Sequence, residues 1–328
     1  MRFVIYGAGA IGGTIGARLH RQGFEVVLIA RGEHGNLLAT RGLDFIAPDG
    51  AHRLRIATVA HPRELEFSAD DVVLLCMKSQ HTPGALEDLL ACGAEDAAIV
   101  CAQNGVANER MALRRFERVY AMVVNLPAMH LVPGEVVTQA DGIGGILDTG
   151  RYPLGSDALV EALTGALQQA GFSAEPDPRV MRKKYAKLLM NINNALQAAT
   201  ELGDATREIS RLLRDEALAC YAAAGIDCAA AEEVRARNAP GYRVVDLPGR
   251  PRGGGSSWQS IARGTGNVEA DYLNGEIVLL GRLHGVPTPA NRACQALAWR
   301  MVRESLPVGH FPVAEVQALI DRFAREVR

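Results

Sequence analysis

The side chains with the clearest potential for chemistry lie in the second half of the sequence. Lys187 and Asn191 are four residues apart and Asn194 follows three residues later, so a helix would present them on neighbouring turns of one face. The residues around the lysine are apolar (Leu188, Leu189, Met190 and Ile192), and a partly buried lysine is a candidate acid. The same spacing is typical of a solvated helix face, to which Lys183 and Lys184 are expected to belong. Both interpretations of Lys187 stay open on these residues alone.

A carboxylate further along the chain is a second candidate. Glu269 begins a predicted helix over 268–284, where a negative charge also compensates the positive end of the helix dipole. Taken singly, Glu269 is therefore interpreted as a structural residue.

A glycine-rich string follows the first predicted strand. Its residues are Gly7, Ala8, Gly9, Ala10, Ile11 and Gly12. In a strand–turn–helix unit the first glycine permits a tight turn, the second lets a pyrophosphate approach the backbone, and the third lets helix and strand pack closely. The N–H groups at the start of the helix would face the phosphates. The string predicts a dinucleotide site, with a glycine turn that binds no ligand as the alternative.

The residue after the second predicted strand, 25–30, indicates which dinucleotide binds. An NAD site usually places Asp or Glu there to bind the ribose 2′-hydroxyl, whereas this chain has Arg31. A guanidinium binds a 2′-phosphate through paired, charge-assisted hydrogen bonds. The sequence therefore predicts NADP(H) as the cofactor. A solvated surface role for Arg31 stays open because Glu33 is close by.

Polar residues also follow later predicted strands. Lys78 comes directly after 72–77, and Asn104 comes shortly after 97–102. Open α/β sheets bind ligands at the carboxyl ends of their strands, so both side chains are expected at the cofactor or substrate site, with loop capping as the alternative. Asn125, after a further strand, is left open between the two.

Apolar runs and helical stretches alternate through the first half, as in a parallel sheet covered by helices. The predicted strands are 2–6, 25–30, 72–77, 97–102 and 118–124, with the predicted helices 14–22, 82–90 and 108–116 among them. Glycine-punctuated extended pieces over 134–138 and 142–147 and a helix over 157–170 are predicted to follow. The second half is predicted as helices over 179–202, 204–225, 229–237, 268–284, 288–304 and 312–327. We predict an α/β fold, in which an N-terminal Rossmann-type doubly wound parallel sheet is followed by an all-α C-terminal domain.

Two prolines, Pro176 and Pro178, interrupt helix and strand alike and mark a domain boundary. We predict an NADP-binding Rossmann-type domain over 1–177 and a helical substrate and catalytic domain over 178–328. Residues 238–257 are rich in glycine and proline and are too irregular for a simple connector. They are expected to form a mobile loop over the cleft.

Charge and cysteine content exclude several classes of protein. The 35 Lys and Arg against 37 Asp and Glu leave a formal charge of −2, so no general attraction to nucleic acid or to an anionic membrane is expected. Six cysteines without a C-x-x-C pair suit a reducing compartment. No uncharged run reaches the ~18 residues of a membrane helix, and the eight scattered histidines indicate no metal site. The early glycines disfavour a signal peptide, and a cytoplasmic location is expected.

Taken together and in order, the motifs resemble the ketopantoate reductase (2-dehydropantoate 2-reductase) family over essentially the whole chain. They are GAGAIG at 7–12, Arg31, Met77-Lys78, Gln103-Asn104-Gly105-Val106, Lys187-Leu-Leu-Met-Asn191, Ser256-Ser257-Trp258-Gln259, Glu269-Ala-Asp-Tyr-Leu-Asn-Gly275 and Gly285-Val-Pro-Thr-Pro-Ala-Asn291.

The resemblance implies NADPH-dependent reduction of a 2-oxo acid, in the first place of ketopantoate to pantoate in pantothenate biosynthesis. It implies that Lys187 is the acid and that Glu269 lies beside the lysine and the cofactor. The implied substrate-binding residues are Asn104, Lys187, Asn191, Asn194 and Ser257. The implied cofactor-binding residues are Gly7, Ala8, Gly9, Ala10, Ile11, Gly12, Arg31, Lys78, Asn104 and Glu269.

The sequence also departs from the family pattern. A second Asn is usual four residues after the position of Asn191, and this chain has Ala195; Ser260 stands where Asp is usual. Two alternatives therefore stay open, a related reductase of another 2-oxo acid or of an opine-type imine, and a non-enzymatic NADPH sensor. Apolar helix faces can pack internally or across a symmetry axis, so monomer and homodimer both stay open.

Overall fold

The computed structural model describes residues 1–238, 241–250, 253–264 and 266–326. The chain divides into two compact units: Met1–Lys184 with Ala231–Arg252, and Tyr185–Ala230 with Gly253–Arg328. The first unit thus includes residues 178–184 and regains 231–252, both of which the predicted boundary after residue 177 assigns to the second domain.

The strands all lie in the first unit of the described chain. They are β1 (Arg2–Tyr6), β2 (Val26–Ile29), β3 (Leu43–Ala47), β4 (Gly50–Leu54), β5 (Ala57–Val59), β6 (Asp71–Leu75), β7 (Ala98–Cys101), β8 (Val119–Met122), β9 (Ala128–Met129), β10 (Glu135–Thr138), β11 (Ala140–Asp141), β12 (Thr149–Arg151) and β13 (Arg243–Val244).

The helices lie in both units, and one of them crosses the division between Lys184 and Tyr185. They are α1 (Ala10–Arg21), α2 (Gly32–Arg41), α3 (Thr82–Ala91), α4 (Asn108–Leu113), α5 (Ala158–Gln169), α6 (Val180–Asn191), α7 (Asn193–Ala199), α8 (Asp204–Ala224), α9 (Ala231–Asn238), α10 (Ser256–Ala262), α11 (Asn274–His284), α12 (Pro289–Arg303) and α13 (Val313–Glu326).

The main sheet of the first unit has the strand order β12-β8-β7-β6-β1-β2-β5. Its pairs are parallel except for β12 against β8. Successive residues of β1 enter different cores: Phe3 and Ile5 pack on one face, and Val4 and Tyr6 on the other. A strand that is buried on both faces must be apolar throughout, which is why the run 2–6 could be predicted as an inner strand.

The predicted fold class is therefore confirmed, with strand β1 between β6 and β2, where the chain order reverses. Ligands of doubly wound sheets bind at the carboxyl ends of the strands beside that reversal. The residues that follow β1, β2, β6 and β7 belong to this edge.

A smaller sheet, with strand order β4-β3-β10-β9, adds to the first unit. Strand β10 corresponds to the predicted extended piece after Gly134, whereas β3 and β4 were not among the predicted strands. Val136 of β10 lies 2.7 Å from where a Cβ on Gly13 would stand. The second sheet therefore packs closely against α1.

The glycine- and proline-rich segment contributes to the first unit through its described part, 241–250. β13 pairs antiparallel with β11, the Tyr242 hydroxyl donates to Asn125 Oδ1 at 2.8 Å, and Arg250 pairs with Glu135 at 2.6 Å. These contacts place 241–250 against the first unit, and the mobility of the 238–257 loop stays a prediction. Residues 239–240 and 251–252 lie outside the described residues.

The second unit is helical. The predicted helix over 179–202 is interrupted at Ile192, so that α6 and α7 are separate helices. The helix predicted from residue 268 begins at Asn274, after a short 3-10 turn over Ala270–Tyr272. Both corrections concern the stretches that carry the predicted chemistry.

Candidate functional site

The glycine turn, residues 7–12, connects β1 to α1. Gly7 has φ +99°, and a Cβ there would lie 2.8 Å from the Met77 nitrogen; a Cβ on Gly12 would lie 2.8 Å from Ile5 Cγ2. Close packing inside the protein thus requires both glycines. By contrast, a Cβ on Gly9 would meet only His130 Cδ2, at 3.9 Å, among the described residues. The open space at Gly9 is consistent with a ligand that approaches the backbone there.

The first turn of α1 offers hydrogen-bond donors to that space. Gly9 is the residue before the helix, and the first helical bond runs from Gly13 N to the Gly9 carbonyl at 2.7 Å. The N–H groups of Ala10, Ile11 and Gly12 precede that bond and so have no partner within the helix. Since α1 carries no acidic residue in its first turn, the positive end of its dipole is left for an anion.

His34 supports the glycine turn, and sequence reasoning missed it. Gly134 N donates to His34 Nδ1 at 2.9 Å, so Nδ1 carries no proton, and Nε2 donates to the Ala8 carbonyl at 2.8 Å. The neutral imidazole therefore links the turn before β10 to the glycine turn. Its ring also lies 4.1 Å, centroid to centroid, from that of His130. The only signal in the sequence is a polar residue in the first turn after Arg31.

Positively charged groups gather at the ends of β2 and β6. Arg31 is exposed and precedes α2, and Lys78 is half-buried before the 3-10 turn over Ser79–His81. The pKa of His81 is lowered by burial and, in addition, by the positive charges of Arg31 and Lys78. Both charges are therefore near His81. Such a cluster can bind a phosphate group.

Asn104 lies at the end of the neighbouring strand β7 with its amide oxygen unpartnered. Asn104 Oδ1 is buried and has no hydrogen-bond partner among the described residues, while its carbonyl accepts from Asn108 Nδ2 at 3.2 Å. Below it, Gln103 Nε2 donates to the Met77 carbonyl and to Thr82 Oγ1, at 3.0 and 2.8 Å. This network holds the ends of β6 and β7 together. It leaves two buried acceptors, Gln103 Oε1 and Asn104 Oδ1, without a partner among the described residues.

Lys184 does not belong to a solvated face, contrary to the expectation. Its side chain is 3% exposed and pairs with the fully buried Glu109, and Nζ also donates to the Gln103 carbonyl at 3.0 Å. Lys183 is likewise bound, to Asp148 at 2.8 Å and to Asp177 at 2.9 Å. Burial lowers the pKa of Lys183, but these two carboxylates outweigh burial and raise it overall. Both lysines anchor the start of α6 in the first unit.

The predicted catalytic helix continues into the second unit. Lys187 is half-buried, and Asn191, at the end of α6, is 8% exposed. The Asn191 amide nitrogen is buried and has no hydrogen-bond partner among the described residues. A buried donor without an acceptor costs roughly 1–3 kcal/mol. Among the described residues, Asn191 Nδ2 is therefore a buried donor that a ligand with an acceptor group could satisfy.

Helix α10 brings Ser257 into the second unit's candidate set. The Gly255 nitrogen, just before α10, donates to Gln197 Oε1 of α7 at 2.8 Å, and a Cβ on Gly255 would lie 2.8 Å from Asn194 Oδ1. Ser257 itself is 3% exposed. The backbone before Ser257 is thus packed against Asn194. Gln197, which accepts the hydrogen bond from the Gly255 nitrogen, was not singled out in the sequence.

Glu269 is 6% exposed and immediately precedes the 3-10 turn over Ala270–Tyr272. The prediction that Glu269 begins a longer helix, on which its structural interpretation rested, is therefore wrong.

The predicted site residues are divided between the two units. The structure places the residues of the glycine turn, Arg31, Lys78 and Asn104 in the first unit. It places Lys187, Asn191, Asn194, Ser257 and Glu269 in the second.

No group of three or more His, Cys, Asp or Glu side chains among the described residues is placed to hold a metal ion. Nor does any described helix combine the length and the apolar character that crossing a membrane requires.

A glycine turn at the reversal point of a doubly wound sheet indicates a dinucleotide-binding protein. Family profiles described as "Ketopantoate reductase PanE/ApbA" and "Ketopantoate reductase PanE/ApbA C terminal" match residues 3–149 and 179–301. The chain belongs to the ketopantoate reductase PanE/ApbA family. The predicted family, the enzyme class of oxidoreductases acting on CH–OH and the nicotinamide cofactor are thereby confirmed.

Individual relatives extend over nearly the whole chain. The 2-dehydropantoate 2-reductase of Pyrococcus horikoshii is 27% identical over 314 residues, which cover 94% of this chain and 99% of that protein. The enzyme of the same name from Archaeoglobus fulgidus is 28% identical over 302 residues, covering 89% of this chain and 94% of the relative.

Solved structures agree with this fold. The PanE/ApbA family ketopantoate reductase from Ralstonia eutropha JMP134 has a TM-score of 0.78 at 29% identity, over 93% of this chain and 99% of that one. D-mandelate dehydrogenase, solved with NADH and anilino(oxo)acetate, has a TM-score of 0.80 over the same shares of the two chains. At 22% identity, the second likeness concerns the fold alone.

The two glycines of the turn with different surroundings should respond differently to an added methyl group. We expect Gly9→Ala to leave the melting temperature within about 2 °C, since its Cβ meets open space, and to weaken dinucleotide binding by about tenfold or more. Gly12→Ala should instead lower the melting temperature clearly, because its Cβ would overlap the Gly7 carbonyl and crowd Ile5 Cγ2.

Thermal unfolding and fluorescence titration with NADPH check both variants. Unimpaired binding by a stable Gly9→Ala variant would exclude the approach of a ligand to this backbone.

Proposed function

We propose that the protein reduces a 2-oxo acid to a 2-hydroxy acid with NADPH, and that ketopantoate, reduced to pantoate, is the preferred substrate. The proposal rests above all on Asn191, which lies on the helix that also carries Lys187. Its buried amide nitrogen has no hydrogen-bond partner in the part of the chain that the structure describes. The names of the relatives from Pyrococcus horikoshii and Archaeoglobus fulgidus support the substrate. Under this proposal, pantothenate biosynthesis is the pathway that the reaction serves.

The first unit has the features that a phosphorylated nicotinamide dinucleotide needs. Open space at Gly9 and the unpaired N–H groups of α1 suit a pyrophosphate. Arg31 suits the 2′-phosphate, and Lys78 adds a second positive charge at the same edge of the sheet. The buried Asn104 Oδ1 can accept a hydrogen bond from the cofactor or from the substrate. We therefore propose NADP(H), with Arg31 as the residue that selects it over NAD(H).

When bound, the reduced nicotinamide supplies a hydride. Addition of the hydride to the keto carbon leaves negative charge on the former carbonyl oxygen, and that oxygen must receive a proton. The Lys187 ammonium is the proposed donor, and Lys187 becomes a neutral amine that solvent reprotonates. General acid catalysis of this type accelerates a reaction by ~10²–10⁴, which corresponds to roughly 3–5 kcal/mol of barrier.

The remaining residues of the set orient the substrate. Asn191 Nδ2 is proposed to donate to a substrate oxygen, and Asn194 and Ser257 are proposed to bind the carboxylate or a hydroxyl. Correct orientation of the keto carbon contributes a rate effect comparable with that of the acid. Glu269 is proposed to hold the ammonium of Lys187 in place.

Ala195 favours a second candidate, a different 2-oxo acid. It is 1% exposed and occupies the position at which the family commonly has an Asn. One substrate hydrogen bond is therefore missing or is supplied by Asn194 instead. A site that lacks a polar partner discriminates less strongly in favour of a hydroxylated substrate.

A substrate panel decides between the two. We expect NADPH oxidation, followed at its absorbance band, with ketopantoate at a kcat/KM at least tenfold above that with pyruvate, 2-oxoisovalerate or phenylpyruvate. A higher kcat/KM with a different 2-oxo acid than with ketopantoate would establish the second candidate. Turnover of a pyruvate and amino acid mixture, but of no 2-oxo acid alone, would indicate an imine reductase. NADPH binding without any oxidation would indicate a sensor.

Removal of the proposed acid should lower turnover and leave cofactor binding unchanged. Lys187→Ala is expected to lower kcat by 10²-fold or more, because no group protonates the developing alkoxide, with the Kd of NADPH within about twofold of wild type. Small primary amines added to the Ala variant should restore part of the activity, whereas Lys187→Met should show no such rescue. Unchanged turnover in Lys187→Ala would remove the lysine from the mechanism.

Reversal of charge at Arg31 should change cofactor preference. Arg31→Asp is expected to raise the Kd of NADPH by about 10- to 100-fold, because charge-assisted hydrogen bonds of ~1.5–3 kcal/mol are lost, and to change the Kd of NADH by about threefold or less. Arg41→Asp is the matched control, since Arg41 is exposed at the other end of α2. Equal losses for both cofactors would show that Arg31 does not contact the 2′-phosphate.

A further inference from the structure

The second unit contains a line of buried polar groups that ends at the interruption between α6 and α7. Asn274 Nδ2, at the start of α11, donates to the Ile192 carbonyl at 2.9 Å and to Asn291 Oδ1 at 3.1 Å. Asn291 Nδ2, in α12, donates to Glu216 Oε2 of α8 at 2.8 Å and to the Leu213 carbonyl at 3.0 Å. We name Glu216, Asn291 and Asn274 the amide relay.

The direction of each hydrogen bond in the relay follows from a group that can only accept. Glu216 accepts from the backbone nitrogens of Ala290 and Asn291, at 2.7 and 2.9 Å, at the start of α12. Since the Leu213 carbonyl, 3.0 Å from Asn291 Nδ2, has no proton to donate, Asn291 must turn its NH2 group toward Leu213 and Glu216 and its oxygen toward Asn274. Asn274 then donates, and its second N–H reaches the Ile192 carbonyl.

The asparagines of the relay are fully buried: Asn274 and Asn291 are both 0% exposed. Each uses both N–H groups of its amide, so neither can rotate without leaving a buried carbonyl or carboxylate unpaired. Loss of such a partner costs far more than an exposed hydrogen bond contributes. The relay therefore holds the Ile192 carbonyl in one position.

Ile192 lies between the two amides that the proposed function places on the substrate. Asn191 ends α6, and Asn194 is in the first turn of α7, so the backbone direction at Ile192 sets the angle between their side chains. We propose that Asn274 and Asn291 are positioning residues that fix the helix interruption at Ile192 and thereby aim Asn191 and Asn194 at the 2-oxo acid. This inference rests on the proposed function and assigns a role to two motif residues that the proposed mechanism does not use.

The test compares Asn274→Ala and Asn291→Ala with a destabilised control. Ile320 of α13 is buried in the same unit and is outside the relay. The control is Ile320→Val or Ile320→Ala, whichever has a melting temperature closer to that of the relay variants. Both relay variants should lower kcat/KM for the 2-oxo acid by about tenfold, mainly through KM, because the misplaced amides still leave Lys187 in place. The Kd of NADPH should stay within about twofold, and the control should keep its KM.

The double variant tests whether the two asparagines act as one unit. Because Asn291 acts on Ile192 only through Asn274, the combined loss should be close to that of Asn274→Ala alone and not the product of the two losses. If the alanine variants do not fold, Asn274→Ser and Asn291→Ser, which each keep one O–H donor, should show the same pattern at smaller size. A loss no larger than in the Ile320 variant, or multiplicative losses in the double variant, would overturn the proposal.

A measurement without substrate separates this inference from the proposed function. Amide hydrogen exchange in peptides covering 188–200 should rise in Asn274→Ala and stay at the wild-type rate in the Ile320 control. Unchanged exchange in Asn274→Ala would refute the role of the relay. If the wild-type protein reduced no 2-oxo acid while exchange rose as expected, the proposed substrate would be rejected and the control of the interruption by the relay would stand.

Discussion

The buried ion pair of Lys184 and Glu109 fixes the start of α6 on the first unit. Its lysine also donates to the Gln103 carbonyl, directly before Asn104, and it stands three residues before Lys187 on α6. Removal of one partner from a buried pair costs about 3–5 kcal/mol, because the other charge is left uncompensated. The pair therefore ties the start of α6 to the strand end that carries Asn104. Lys183, with Asp148 and Asp177, reinforces the same anchor.

The two ends of α6 are held by different chemistry. Charged groups hold its first turns, whereas neutral amides, Asn274 and Asn291, hold the interruption that follows Asn191. Only the far end of that relay, Glu216, is a carboxylate, and burial raises its pKa even though the surrounding N–H groups lower it. A neutral group beside the substrate amides is favourable under the proposed function, because a carboxylate there would repel a 2-oxo acid.

Much of the fold follows from local rules, and several parts of the site do not. The inner strand over 2–6 and the turn after it are predictable because a doubly buried strand is apolar and Gly7 and Gly12 meet neighbouring groups closely. The burial of Lys184 is not predictable, since its partner Glu109 is 75 positions away along the chain and a lysine on a helix is usually solvated. His34 and Gln197 were missed for the same reason, because their roles come from tertiary contacts with Gly134 and Gly255.

The interruption at Ile192 shows most plainly what cannot be predicted from the sequence. No glycine or proline stands between Asn191 and Ala199, so helix propensity gives no reason for α6 to end there. Instead, the Asn274 side chain of α11 donates a hydrogen bond to the Ile192 carbonyl, and Asn274 is 82 positions away along the chain. The motif that contains Asn274 was recognised in the sequence, but its function could be assigned only from these contacts.

Unpartnered polar atoms connect the packing to the chemistry. Asn104 Oδ1 in the first unit and Asn191 Nδ2 in the second are buried without hydrogen-bond partners among the described residues. Each such atom costs roughly 1–3 kcal/mol in the free protein. Under the proposed function, cofactor and substrate supply the missing partners and recover that free energy on binding. The cost is thus borne by the free protein, and it favours ligands that present a donor to Asn104 and an acceptor to Asn191.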